Sequence, residues 1–99
     1  MKKIMLVCNA GMSTSLLVQK MQAEAKNRGL DVEIEARPMA EAMENIDSAD
    51  ILLLGPQIGY AKGDFEKAVD GAKPVEVIAM VDYGRMNAPK ILDAALAEI

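Results

Sequence analysis

Four short apolar runs, each followed by a stretch of helical or turn-like spacing, organise the chain. Lys3-Ile4-Met5-Leu6-Val7 is continuously apolar after its lysine, which predicts a strand buried on both faces. From Ser13 to Arg28 the spacing is helical: Leu17, Met21 and Ala25 fall four apart, Leu16 and Val18 widen the stripe, and Gly29 suits a C-cap. Val32-Glu33-Ile34-Glu35-Ala36 alternates, so this strand has one wet face and belongs at a sheet edge, with Pro38 ending it. A short helical stretch is expected from Met39 to Ile46. Ile51-Leu52-Leu53-Leu54 is again wholly apolar, hence central, and stops at Gly55-Pro56. A helix from Gly59 to Val69 would place Ala61, Phe65, Ala68 and Val69 on one face. Val75 to Ala79 reads as the fourth strand. The last helix is expected from Asn87, a good N-cap with Pro89 in the first turn, through Ile91, Leu92, Ala95, Leu96 and Ile99.

Alternating strands and helices imply one α/β domain over residues 1–99, an open four-stranded parallel sheet with helices on both faces. Two central patterns, one edge pattern and one mixed pattern, joined by right-handed crossovers, give the order 2-1-3-4. In that order the winding direction reverses beside strand one, and the crevice beyond its carboxyl end is where such sheets bind ligands. Cys8 falls at that point.

Composition narrows the chemistry that Cys8 can perform. Apolar residues make up 52% of the 99 positions, ordinary for a globular chain, and no apolar run is long enough to span a bilayer. The start Met1-Lys2-Lys3-Ile4 resembles a signal peptide, yet the apolar run meets Asn9 without a cleavage site, so a cytoplasmic protein is expected. A net charge of −4, with no basic cluster, argues against nucleic acid and against an anionic membrane surface. The single cysteine excludes an internal disulfide, and the absence of histidine removes the usual general base and most metal sites. No metal and no dissociable cofactor is expected.

A lone cysteine after an apolar strand is ordinarily a small buried residue. The stretch Cys8-Asn9-Ala10-Gly11-Met12-Ser13-Thr14-Ser15 offers a second reading. Gly11 permits a tight loop, and three hydroxyls crowd a helix start whose N–H groups and dipole favour an anion. The same field would favour a thiolate, the nucleophilic form of cysteine. Ser13 can cap the helix in either case. Met12, apolar at a loop tip, suits partner docking, whereas Met5, Met21 and Met80 are expected as core filler. In a protein tyrosine phosphatase the residue six after the cysteine is an arginine; here it is Thr14. The loop also lacks a general acid and a group to position water, so it would form a phosphocysteine and hydrolyse it poorly.

The segments "CNAGMSTSLLV" (Cys8–Val18), "DILLLGPQIGY" (Asp50–Tyr60), "KPVEVI" (Lys73–Ile78) and "DYGRM" (Asp82–Met86) resemble the IIB components of the bacterial sugar phosphotransferase system, of the lactose/cellobiose/chitobiose type. The resemblance covers nearly the whole chain and implies the same sheet order. It implies that Cys8 takes a phosphoryl group from a phosphohistidine on a IIA protein and passes it to a sugar held by the IIC membrane transporter. The phosphoryl group is then carried covalently, in the cytoplasm and transiently at the inner membrane face through IIC. Amides from Asn9 to Ser15, including Ala10, Gly11 and Met12, would collect the phosphoryl charge, with Ser13, Thr14 and Ser15 adding hydroxyls. Gln57, after strand three, is a candidate wall residue or partner contact. Tyr83, after strand four, is expected near the loop; Asp82 reads as a cap and Gly84 as a turn, and the acidic residues from Glu33 to Asp50 as solvated faces. The alternatives are a cysteine-dependent phosphatase of low-molecular-weight type and a receiver-like module, although the receiver's aspartate position is Gly55 here.

Overall fold

The computed structural model describes residues 1–9 and 12–99, with side chains for all of these except Met12 and Ser13. Four strands, β1 (Lys2–Cys8), β2 (Val32–Pro38), β3 (Ile51–Leu54) and β4 (Val75–Val77), form one parallel sheet in the order β2-β1-β3-β4. The expected order is therefore the observed one. The helices are α1 (Met12–Asn27), α2 (Met39–Glu44), α3 (Lys62–Val69), α4 (Met80–Gly84) and α5 (Ala88–Leu96), with 3₁₀ turns at Ile46–Ser48 and Pro56–Ala61.

Side chains alternate across a strand, so the two faces of the sheet build two cores. Ile4, Leu6, Ile34, Ile51 and Leu53 point to one face, where Leu17, Met21 and Ala25 of α1 and Ile91, Leu92 and Ala95 of α5 cover them. Met5, Val7, Leu52 and Leu54 point to the other, under Ala42 of α2 and Phe65 and Val69 of α3. That division explains why strands one and three read as unbroken apolar runs, because both of their faces are covered.

The end of α1 is held by a left-handed glycine. Gly29 has φ +69°, its N–H donates to Lys26 O (3.0 Å), and the Leu30 N–H donates to Ala25 O (2.9 Å). This two-bond pattern closes the helix, and Leu30 then packs on the core. Asn87 caps α5 as expected, its side-chain oxygen accepting from the Lys90 N–H at 3.4 Å.

Several expectations need correction. The third helix begins at Lys62, because the stretch from Pro56 to Ala61 winds as 3₁₀ with a non-helical kink at Ile58. Ala68 and Leu16 face solvent. Strand four ends at Val77, and Asp82-Tyr83-Gly84 belongs to the short helix α4 rather than to a cap and turn. Met80 is no core filler: at 76% exposure it opens α4 on the surface. The edge strand β2 does end at Pro38, as expected.

Two of the acidic side chains expected merely to face water are tied down. Asp50 accepts from the Lys3 N–H at 2.7 Å, and Glu35 lies 2.8 Å from both Lys3 Nζ and Arg37 Nε. Burial pushes the Glu35 carboxyl upward, but hydrogen bonds from Arg37 and Lys3 outweigh it and hold the group below its ordinary value. A depressed carboxylate of this kind adds stability above its unfolded pKa, and that stability is lost as pH falls through the folded one.

Lys73 has a structural role that no motif announced. Its ammonium donates to the carbonyls of Ile46 (2.5 Å) and Ala49 (2.6 Å), fixing the turn that feeds β3. Lys73→Met keeps the apolar stem and removes the charged donor. It is expected to lower stability by about 2 kcal/mol, read as a reduced urea midpoint at unchanged slope.

Candidate functional site

All four strands run parallel, so their carboxyl ends gather at one end of the sheet, and the candidate residues meet there. Cys8 is the last residue of the central strand β1. Its side chain shares the parity of Ile4 and Leu6 and so lies on the α1 side of the sheet. The thiol is free, 5% exposed, and donates to the Arg37 carbonyl of β2 at 3.7 Å.

Beside it, the Gly55 N–H donates to Val7 O at 3.1 Å, carrying the β1–β3 ladder one residue past β3. A side chain at Gly55 would first displace the end of the Gln57 side chain. Its Cβ would fall 2.9 Å from Gln57 Oε1, 3.7 Å from Tyr83 Cε1 and 3.8 Å from Val7 O. The Gln57 amide and the Tyr83 ring thus lie against Gly55, at the ends of β1 and β3. Gln57 is otherwise exposed.

Tyr83 reaches this end because α4 starts immediately after the β4 segment. Its N–H donates to Ala79 O at 2.9 Å, and the Asn87 N–H donates to Asp82 O at 2.9 Å, tying α4 to the start of α5. Asp82 is buried, with Lys90 Nζ 3.5 Å from its carboxylate. So held, the Tyr83 hydroxyl shares a hydrogen bond of 2.9 Å with Thr14 Oγ1 across 69 residues of chain. Thr14 is 2% exposed and sits in the first turn of α1.

Among the predicted residues, Cys8, Thr14, Gln57 and Tyr83 thus lie at one end of the sheet. Asn9 and Ser15 are exposed at the same end. Ala10, Gly11 and the side chains of Met12 and Ser13 lie outside the described residues, though α1 is already helical at Met12, one residue earlier than expected. The roles of Gly55 and of the Arg37 carbonyl were missed. Gly55 stood next to Pro56 and read as a turn signal alone, and a backbone carbonyl leaves no signal in a sequence.

The first turn of α1 contains no acidic residue. A 16-residue helix that points its N-terminus at a strand end, with no carboxylate to compete, favours an anion beside Cys8. Among the described residues no group of three or more Cys, Asp or Glu could hold a metal ion. Among the same residues no helix is long and apolar enough to cross a membrane.

A parallel sheet in the order β2-β1-β3-β4, with a cysteine ending its central strand, defines the class: a small doubly wound α/β domain. Comparison with known proteins gives the family. Residues 3–94 match the family described as "PTS system, Lactose/Cellobiose specific IIB subunit". The cellobiose-specific EIIB component of Lactococcus lactis subsp. lactis is 47% identical, the match covering 95% of this chain and 93% of that protein. The oligo-beta-mannoside-specific EIIB component of Bacillus subtilis is 43% identical, covering 98% and 95%. The solution structure of the cellobiose-specific IIB component from Borrelia burgdorferi superposes with a TM-score of 0.81 at 39% identity, covering 98% of this chain and 90% of that one. The lactose-specific IIB domain of Streptococcus pneumoniae shares the fold, with a TM-score of 0.88 at 13% identity, covering 98% and 96%. The chain belongs to the lactose/cellobiose-specific IIB family of the sugar phosphotransferase system. It is a IIB component for sugars of the cellobiose and lactose type, and so a phosphotransferase.

Proposed function

We propose that Cys8 is the phosphoryl carrier, charged by a phosphohistidine on a IIA protein and discharged to a β-linked disaccharide held by the IIC transporter. The observation that carries this reading is the position of Cys8, on the last residue of the central strand and beside the N-terminus of α1. In the first step Cys8, its thiol proton lost to solvent, attacks phosphorus in line as the thiolate. The S–P bond forms, the P–N bond to the donor imidazole breaks, and the imidazole nitrogen retains the electron pair. In the second step a sugar hydroxyl attacks the same phosphorus, the S–P bond breaks, the thiolate leaves, and the hydroxyl proton passes to a base outside this chain.

The thiol geometry adds a requirement. A thiol can donate to the Arg37 carbonyl, as here, but a thiolate has no proton to give and is repelled by that oxygen. Once ionised, the sulfur gains by turning from Arg37 toward the amides of α1. Phosphorylation therefore goes with a rotation about the Cys8 side-chain bond, and loop amides from Asn9 to Ser15 then take the phosphoryl charge. No group in the described site is placed to activate water, which favours a carrier over a phosphatase.

Thr14 and Tyr83 act on this step as positioning residues. Their hydrogen bond joins the first turn of α1 to α4 and so sets where the helix N–H groups point. Tyr83→Phe keeps the ring against Gly55 and removes only the hydroxyl. It should lower stability by about 1 kcal/mol and slow Cys8 phosphorylation about tenfold, since small misplacements of a cradle are costly. A normal phosphorylation rate in that variant would remove the positioning role.

The direct test supplies phosphoenolpyruvate, the general phosphotransferase proteins and a cognate IIA, and measures the mass of the peptide containing Cys8. A gain of one phosphoryl group on Cys8 is expected, persisting until IIC and sugar are added. A label on another residue, rapid release of inorganic phosphate, or no label refutes the assignment.

A further inference from the structure

A groove of about 360 Å³ runs between the β4 edge and α5, on the α1 side of the sheet. Its floor is apolar, from Leu53, Ile78 and Ile91, and the alanines along α5 leave it open. Its rim is acidic at Glu76 and Glu98, while the Asp82 carboxylate that also lines it is buried and paired with Lys90. Glu76 and Glu98 lie close enough that a hydrogen bond between their carboxyls raises the Glu98 pKa, although Lys62 nearby opposes the effect. Glu76 and Glu98 with the nearby Lys62 leave this part of the rim net negative when both carboxyls are ionised.

The groove is continuous with the functional end of the sheet. Asp82 lines it, and the next residue, Tyr83, carries the hydroxyl bonded to Thr14. Val77 lines it too, and Met80 and Val81, both exposed, follow directly after its lining residue Ala79. Whatever lies in the groove therefore sits beside the Cys8 end and meets an apolar floor, an apolar shoulder and negative charge.

We infer that this groove seats a basic, apolar-anchored cytoplasmic segment of the phosphoryl acceptor, the IIC transporter; the inference rests on the carrier reading above. Charge chooses between the two partners. Cytoplasmic loops of membrane proteins carry an excess of Lys and Arg, whereas no such rule governs a soluble donor. An acidic rim on a chain of net charge −4 matches those loops, and it is repelled by the anionic lipid around them. An apolar side chain of the segment enters between Ile78 and α5 while its cations meet Glu76 and Glu98. That contact holds the protein on the transporter while the phosphocysteine meets the bound sugar.

The test separates the two half-reactions in the full chain. Two variants lie outside the phosphoryl-handling residues: Glu76→Lys with Glu98→Lys, which reverses the rim, and Ala94→Trp, which fills the groove from the exposed side of α5. Urea midpoints near wild type establish that each is folded. Both variants should take the phosphoryl group from IIA within about twofold of the wild-type rate. Both should discharge it to sugar about tenfold more slowly in inverted vesicles carrying the cognate IIC, at subsaturating protein. Raising the salt should slow wild-type discharge and leave the charge-reversed variant little changed. Unchanged discharge in both variants overturns the inference, and so does slower charging by IIA, which would make the groove a donor site. If wild type takes no phosphoryl group on Cys8, the carrier reading itself falls and this one with it. If wild type is charged and discharged and the variants match it, only the groove assignment falls.

Discussion

Cys8→Ala is expected to abolish phosphoryl transfer to sugar, by about 10³-fold or more, while the protein remains folded. The carrier mechanism has no second acceptor to fall back on: the chain contains one cysteine and no histidine. On the carrier proposal the hydroxyls of Ser13, Thr14 and Ser15 bind the phosphoryl group rather than accept it, and no base in the described site would activate them. Cys8→Ser tests this point, because it restores an oxygen at nearly the same place and should recover almost nothing. The folded state should tolerate the alanine, since the thiol's one described bond is a 3.7 Å contact to a carbonyl. The measurement is sugar phosphate formed per minute with IIA and IIC held constant, alongside a urea melt. Transfer within tenfold of wild type in Cys8→Ala would end the assignment.

The largest effect on stability is expected from Phe65→Ala. Phe65, the one phenylalanine, is 1% exposed and anchors α3 onto the face of the sheet built by Met5, Val7, Leu52 and Leu54. Removing a buried ring loses its transfer free energy and leaves a cavity that the sheet, pinned between two helical layers, cannot collapse to fill. The cost should be about 3–5 kcal/mol, a large share of the roughly 5–15 kcal/mol that holds a domain of this kind folded. The urea midpoint should fall accordingly. Transfer per folded molecule should stay near wild type, because Phe65 packs on the face away from α1. A loss below 1 kcal/mol would mean that α3 repacks freely.

The sheet order was legible because burial on both faces leaves an unmistakable pattern. Ile51 to Leu54 has no polar interruption, and Glu33 and Glu35 interrupt β2 at alternate positions. What escaped was short or local. Helix α4 has five residues, too few to display a helical period, and its first residue, Met80, looked apolar enough for a core. The 3₁₀ turn at Pro56–Ala61 blends into α3, since apolar spacing at three and four residues is hard to separate over six positions. The site was legible as a location, from Cys8 and the hydroxyl cluster. Its construction was not, because it depends on contacts remote in sequence: Thr14 with Tyr83, Cys8 with the Arg37 carbonyl, and Gly55 with the side chain of Gln57.

The Thr14–Tyr83 bond also sets a clock during synthesis. Thr14 is made first, and the Tyr83 hydroxyl that it bonds is added 69 residues later. At roughly 5–20 residues per second that interval is about 3–14 s, and the partner then has to clear the exit tunnel. Until then the first turn of α1 lacks the bond that ties it to α4, so a chain cut short before α4 would leave Thr14 without its Tyr83 partner.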